Sequence, residues 1–202
     1  MKINTLPFSM QQVSIVIMVA ILAIFAFTAE VYIGEVITEF FVFHREMINQ
    51  GELWRIFTGH LLHTNGYHLL LNLSALVLLW ALHGQFYTIK NYSALFLFCS
   101  FSTSIGVFFD DVTLIQYVGL SGVLHGIFVF GSMMDIAMKD KTGYLLFIGV
   151  WLKIAHEQIY GASSDVSELI EAGVAVDAHL WGAVGGFVFS TVYLVKKASN
   201  NT

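Results

Sequence analysis

Four short stretches hold the residues with chemical potential: Ser121 and His125 in "GLSGVLHG", His68 and Asn72 in "HLLLN", Lys153, His156 and Glu157 in "LKIAHEQ", and Asp177 and His179 in "VDAHLWG". All lie within apolar surroundings, where ionisable side chains are expensive and mark a functional site or a buried pair. Serine is a nucleophile only when a base accepts its proton, and a histidine on another helix at matching depth, His179, can do so. A tetrahedral intermediate then needs donors for its oxyanion. His68 and Asn72, at i and i+4, share one helix face and supply them together with the backbone N–H of Ser121. Spacing alone leaves a second base open, since His125 is also at i+4 from Ser121, about 5–6 Å away on one helix.

Metal chemistry fits less well. "HEQIY" carries tyrosine where a metal-binding helix needs its second histidine. His60 and His63 have no cysteine or carboxylate arranged with them, so interfacial hydrogen bonding is expected of them. No metal and no cofactor are expected.

These residues are positioned by membrane helices. The chain of 202 residues is 57% apolar and 11% charged, values far from a soluble domain. One proline and no linker-like segment predict a single domain over 1–202. The single Cys99 excludes an intramolecular disulfide. Windows of about 20 apolar residues predict six spans, at roughly 11–30, 67–89, 92–109, 114–136, 143–160 and 173–195. The apolar core of the first, Val13 to Ala29, is longer than a signal peptide requires, so a retained helix is expected. The connection at about 31–66 is the one long loop, amphipathic enough to lie in the interface.

Lys2, Lys90, Lys139, Lys141, Lys196 and Lys197 fall on one side of this arrangement and most of the acids on the other. The positive-inside rule makes both termini cytoplasmic. Ser121 lies 18 residues before Lys139 and His179 lies 17 before Lys196, each about 26 Å from the inner boundary at 1.5 Å per residue. His68 fits a similar level. Glycines allow close approach: Gly119 and Gly122 clear the surroundings of Ser121, and Gly182 and Gly186 make a small-xxx-small face below His179. Asp177 is two residues from His179 and points to nearly the opposite side of its helix, so a Ser–His dyad is expected.

"GLSG", "HLLLN", "AHLWGAVGG" and "WR" resemble the rhomboid intramembrane serine proteases in order, spacing and topology, from about Trp54 to Gly186. The resemblance implies an all-α bundle of six transmembrane helices with a long interfacial loop between the first two. It implies Ser121 as nucleophile, His179 as base, and His68 with Asn72 as oxyanion helpers. Trp54 and Arg55 would belong to the loop that structures the lid region, His63 would be a structural hydrogen-bonding residue, and the fifth helix would be a lateral gate. His125 occupies a position where most rhomboids have tyrosine stacked beneath the catalytic histidine. "GLSGVLHG" with "VDAHLWG" on a six-span core resembles the rhombosortase subfamily. That likeness implies an enzyme of the bacterial inner membrane, opening toward the periplasm, whose substrates are single-span proteins with a C-terminal Gly-Gly anchor. Its partners would then be such substrates and the lipid bilayer, with no nucleic acid.

Two other classes compete. A transporter could use "KIAHE" as a proton relay, although Lys153 and Glu157 at i+4 also suit a structural pair. A catalytically dead relative that only binds membrane proteins would not need both Ser121 and His179.

Overall fold

A computed structural model describes residues 10–200, so Lys2 lies outside the described residues. Six helices have 17 residues or more: α1 (Met10–Ile33), α5 (Gly66–His83), α6 (Ile89–Asp110), α7 (Ser121–Ala137), α8 (Lys141–Tyr160) and α10 (Val176–Ser199). Of these, α1, α5, α6 and α10 are long and apolar enough to cross a membrane. The protein is a multi-pass membrane protein, and its exterior is correspondingly apolar, with Phe25, Leu145 and Val195 among the large exposed side chains. α7 has only 17 residues, and α8 carries Lys141, Lys153 and Glu157.

The connection from α1 to α5 is structured. It contains α2 (Glu35–Phe41), β1 (Phe43–His44), α3 (Arg45–Asn49), α4 (Arg55–Thr58) and a 3-10 turn at Gly59–Leu61. β1 pairs antiparallel with β2 (Gln116–Tyr117), Phe43 opposite Tyr117, and so ties this connection to the strand that leads into Ser121. Arg45 completes the tie. Its guanidinium donates to the carbonyls of Leu114 (3.2 Å), Val107 (3.0 Å), Phe108 and Asp111. Three of these acceptors belong to the last turn or the cap of α6, the end of a helix at which a cation is favoured.

α9 (Ser164–Ile170) lies between α8 and α10. Thr64 Oγ1 donates to the Ile170 carbonyl (2.6 Å) and Asn65 Nδ2 to that of Leu169 (3.0 Å), fastening this segment beside the start of α5.

α7 is the centre of the bundle and α10 packs on it through backbone. A Cβ on Gly182 would stand 1.9 Å from the Gly122 carbonyl oxygen, and one on Gly186 would stand 2.1 Å from that of Gly126. Approach this close is open only to glycine, as the small-xxx-small pattern predicts. Cys99 fills space on the same side of α7, its Sγ 2.5 Å from where a Gly126 Cβ would be. By contrast α8 buries only Gly143, Val150 and Ile154.

The predicted fourth span begins late. The window at 114–136 suggests that Ser121 sits within a helix, but residues 114–120 form β2 and an irregular segment, and Ser121 is the first residue of α7. Gly119 explains the break: its φ is 121°, outside the helical region and in the range that favours glycine.

Candidate active site

Four elements converge near the start of α7. Ser121 opens that helix, where the first backbone N–H groups have no helical acceptor and the dipole favours negative charge. The close α7–α10 packing brings His179, in the first turn of α10, alongside it. Ser121 Oγ donates to His179 Nε2 at 2.9 Å, within reach for direct proton transfer.

The other ring nitrogen of His179 meets the carboxylate that is spaced in the sequence to pair with Lys153. Nδ1 lies 2.9 Å from Glu157 Oε2, on α8. A carboxylate only accepts, so Nδ1 carries the proton and Nε2 presents its lone pair to the serine. Ser121, His179 and Glu157 thus stand in one hydrogen-bonded row. Asp177 plays no part in this contact, whereas Glu157 approaches from a neighbouring helix. The Lys153–Glu157 pair is also present, at 2.7 Å, with Glu157 shared between the two partners.

His125 occupies the stacking position. Its ring lies on that of His179, centroids 4.1 Å apart and planes 21° apart. Its Nδ1–H donates to the Ser121 carbonyl at 2.7 Å, and Lys153 Nζ donates to its Nε2 at 2.9 Å. Both nitrogens are thus engaged away from the serine hydroxyl. His125, Glu157 and His179 place ligand-type atoms within 4.8 Å of one another. The Lys153 ammonium is the cation among them, 3.5 Å from His179 Nδ1. His156 is turned against Tyr160 instead, ring centroids 4.9 Å apart.

The donor side comes from α5. His68 Nδ1 faces Thr64, 3.1 Å from its Oγ1 and 3.4 Å from its backbone nitrogen. Nε2 lies 2.8 Å from where a Cβ on Gly119 would be, so glycine there admits the imidazole as well as the backbone break. Asn72 Nδ2 donates one proton to the His68 carbonyl at 3.1 Å and keeps a second. A cavity of about 110 Å³ adjoins these groups, lined by His68, Ser121, Tyr117, Val118, Ile170 and Gly173 among others.

The supporting loop residues act on backbone. Arg55, 4% exposed, donates to the carbonyls of Glu39 (2.7 Å) and Val42 (2.9 Å) and pairs with Glu52 at 2.6 Å. Trp54 stacks on Phe40 and donates from Nε1 to the Phe40 carbonyl at 3.0 Å. His63 is buried, with Nδ1 against the Leu61 carbonyl at 3.2 Å and its ring edge-on to His68. His60 departs from the interfacial role expected of it. It is fully buried, with Nε2–H toward the Ser100 carbonyl and Ser104 Oγ, both at 3.0 Å. Burial lowers its pKa to about 4, so the ring is neutral and structural.

A hydroxyl held against an imidazole inside a helical bundle, with the Asn72 amide on the facing helix, can supply a nucleophile, a base and a donor for an anion. Residues 50–196 match the rhomboid domain family. The chain belongs to the rhomboid family, which is a family of intramembrane serine proteases. A comparison with curated proteins returns no match.

Proposed function

We infer that the chain is an intramembrane serine endopeptidase in which Ser121 attacks the scissile carbonyl, His179 takes its proton, and His68, Asn72 and the Ser121 N–H hold the oxyanion. The observation that carries this is the 2.9 Å contact from Ser121 Oγ to His179 Nε2, with the tautomer of His179 set by a carboxylate on Nδ1. In the first step the Oγ–C bond forms, the proton passes to Nε2 and the carbonyl oxygen becomes the anion. The imidazolium then returns that proton to the leaving amine, and water repeats the sequence on the acyl-enzyme.

The substrate is a single-span anchor. A regular helix hides its carbonyls in internal hydrogen bonds, so the cleaved segment must be extended at the site, which favours glycine there. The small cavity beside Ser121 suits such residues. Likeness to rhombosortases assigns a C-terminal Gly-Gly motif, an apolar span and a basic tail, carried by exported proteins of a Gram-negative cell. The enzyme then lies in the inner membrane with six spans, both termini cytoplasmic and the site opening toward the periplasm. Lys139 and Lys196 at the far ends of α7 and α10 from Ser121 and His179 support this direction.

The test is release of a periplasmic reporter fused to such an anchor, with wild-type or Ser121→Ala enzyme, alongside labelling by a fluorophosphonate. Release and labelling that both require Ser121 are expected. Equal release when the two glycines become leucines would leave a rhomboid protease with other single-span substrates and remove the subfamily assignment. Neither release nor labelling would remove the protease reading.

A further inference from the structure

His179 and the four polar residues around it, Ser121, Glu157, Lys153 and His125, form a closed circuit. It starts at Ser121 Oγ and passes to His179 Nε2 (2.9 Å), then from His179 Nδ1 to Glu157 Oε2 (2.9 Å). From there it continues to Lys153 Nζ (2.7 Å), to His125 Nε2 (2.9 Å), and from His125 Nδ1 back to the Ser121 carbonyl (2.7 Å). Three helices contribute: α7, α8 and α10. The donors are unambiguous, because the circuit holds one carboxylate, one carbonyl and one ammonium. Lys153 donates in both directions, toward Glu157 and toward His125. Glu157 only accepts, which puts the His179 proton on Nδ1, and the Ser121 carbonyl only accepts, which puts the His125 proton on Nδ1. Both rings thus have one tautomer each, that of His179 set by Glu157 of α8 and that of His125 by the Ser121 carbonyl of α7, with Lys153 of α8 on its other nitrogen.

The geometry points to Glu157 as a positioning residue for His179, with Lys153 as the group that orients Glu157 and His125 together, so that α8 supplies a third element to the nucleophile and base. This rests on the reading of Ser121 and His179 as nucleophile and base. Glu157 suits the task because its side chain is 13% exposed while Lys153 is 47% exposed. The carboxylate is held inside the bundle, and the ammonium reaches it from the rim. When Ser121 attacks, the proton arrives on Nε2 of a ring whose Nδ1–H already points at an anion, so positive charge forms where a negative partner is in place. The same carboxylate prevents the ring from turning its lone pair away from the serine. An open cavity of about 300 Å³, lined by Lys153, His156, Tyr160, Gly161 and Ser163, adjoins Glu157 and gives a small anion a route to its position.

The experiment measures the rate of fluorophosphonate labelling of purified full-length protein in detergent, resolved into the saturation constant for the probe and the limiting first-order rate. Glu157→Gln, which can present its amide N–H₂ to Nδ1 and favour the wrong tautomer, should lower the limiting rate by ~10²-fold or more, with the saturation constant unchanged. Glu157→Ala should be similarly slow and should be accelerated by added formate, whereas formate should not affect wild type. Glu157→Asp should recover part of the rate. Lys153→Met should lower the limiting rate by about tenfold, the order of one charge-assisted hydrogen bond. Wild-type rates in Glu157→Gln would overturn the proposal. So would loss in Glu157→Ala that formate leaves unchanged while Glu157→Asp stays equally slow, since that is the behaviour of a merely structural residue. Failure of wild type itself to label at Ser121 would instead remove the protease reading on which the proposal rests.

Discussion

The imidazole of His125 lies against that of His179, centroids 4.1 Å apart, yet only His179 reaches the Ser121 hydroxyl. His125 sends its one N–H to the Ser121 carbonyl and receives Lys153 on its other nitrogen. On the proposed reading, His125 supports the base with its face. His125→Phe and His125→Tyr should therefore keep substantial activity, within about tenfold, because each preserves a stacked ring. His179→Ala should lose about 10⁴-fold or more in kcat. Cleavage of the reporter anchor by the purified variants decides the ranking, and the reverse order would make His125 the base.

In the proposed mechanism His68 and Asn72 act on charge that exists only in the transition state. His68→Ala and Asn72→Ala should each lower kcat by ~10²- to 10³-fold with KM little changed. Ser121 should still be labelled by a fluorophosphonate in both, more slowly than in wild type. A rise in KM at constant kcat would show that these residues bind ground-state substrate instead.

The α7–α10 contact should be intolerant of any side chain. Gly186→Ala puts a methyl 2.1 Å from the Gly126 carbonyl oxygen, and only separation of the helices relieves it. A loss of about 1–3 kcal/mol of stability and a larger fractional loss of labelling are expected, because the Ser121–His179 distance depends on the same approach. Gly149→Ala, with nothing within 4 Å of the added carbon, is the control and should change neither.

His60 makes stability depend on pH. Burial holds its folded-state pKa at about 4, against about 6.5 when unfolded. The unfolded chain therefore binds the proton first as pH falls. The contribution of His60 is intact above pH ~6.5 and is lost progressively between about 6.5 and 4, on the order of 3 kcal/mol in full. Thermal unfolding in detergent across that window should show Tm falling with pH. His60→Gln should reduce the slope.

Much of the site was legible in the sequence. Counting residues from Lys139 and Lys196 placed Ser121 and His179 at one level because both helices rise regularly, and the glycine pattern pointed to their close approach. The start of α7 was not legible from apolarity, since Leu114, Ile115, Tyr117 and Val118 are as apolar as a helix. The pairing of β2 with β1 and the positive φ of Gly119 separate them from it. Glu157 was overlooked for a different reason. Lys153 at i−4 offered a sufficient local partner, and nothing in a one-dimensional pattern says that a carboxylate has a second. The same counting would have found it: Glu157 lies 16 residues after Lys141, about 24 Å along α8, level with His179.

The closed circuit also bears on how this bundle can be damaged. Polar catalytic groups are commonly a burden on stability, and removing them commonly strengthens a fold. Here α8 buries only three residues, and the Lys153 and Glu157 side chains bind it to α7 and α10, so the hydrogen bonds that prepare the serine also dock the helix. Replacing His179 or His125 leaves a partly buried carboxylate or ammonium short of a partner. A variant that loses the base is therefore also a fragile one, unlike the mild Ser121→Ala: selection for a well-docked α8 and selection for activity act on overlapping side chains.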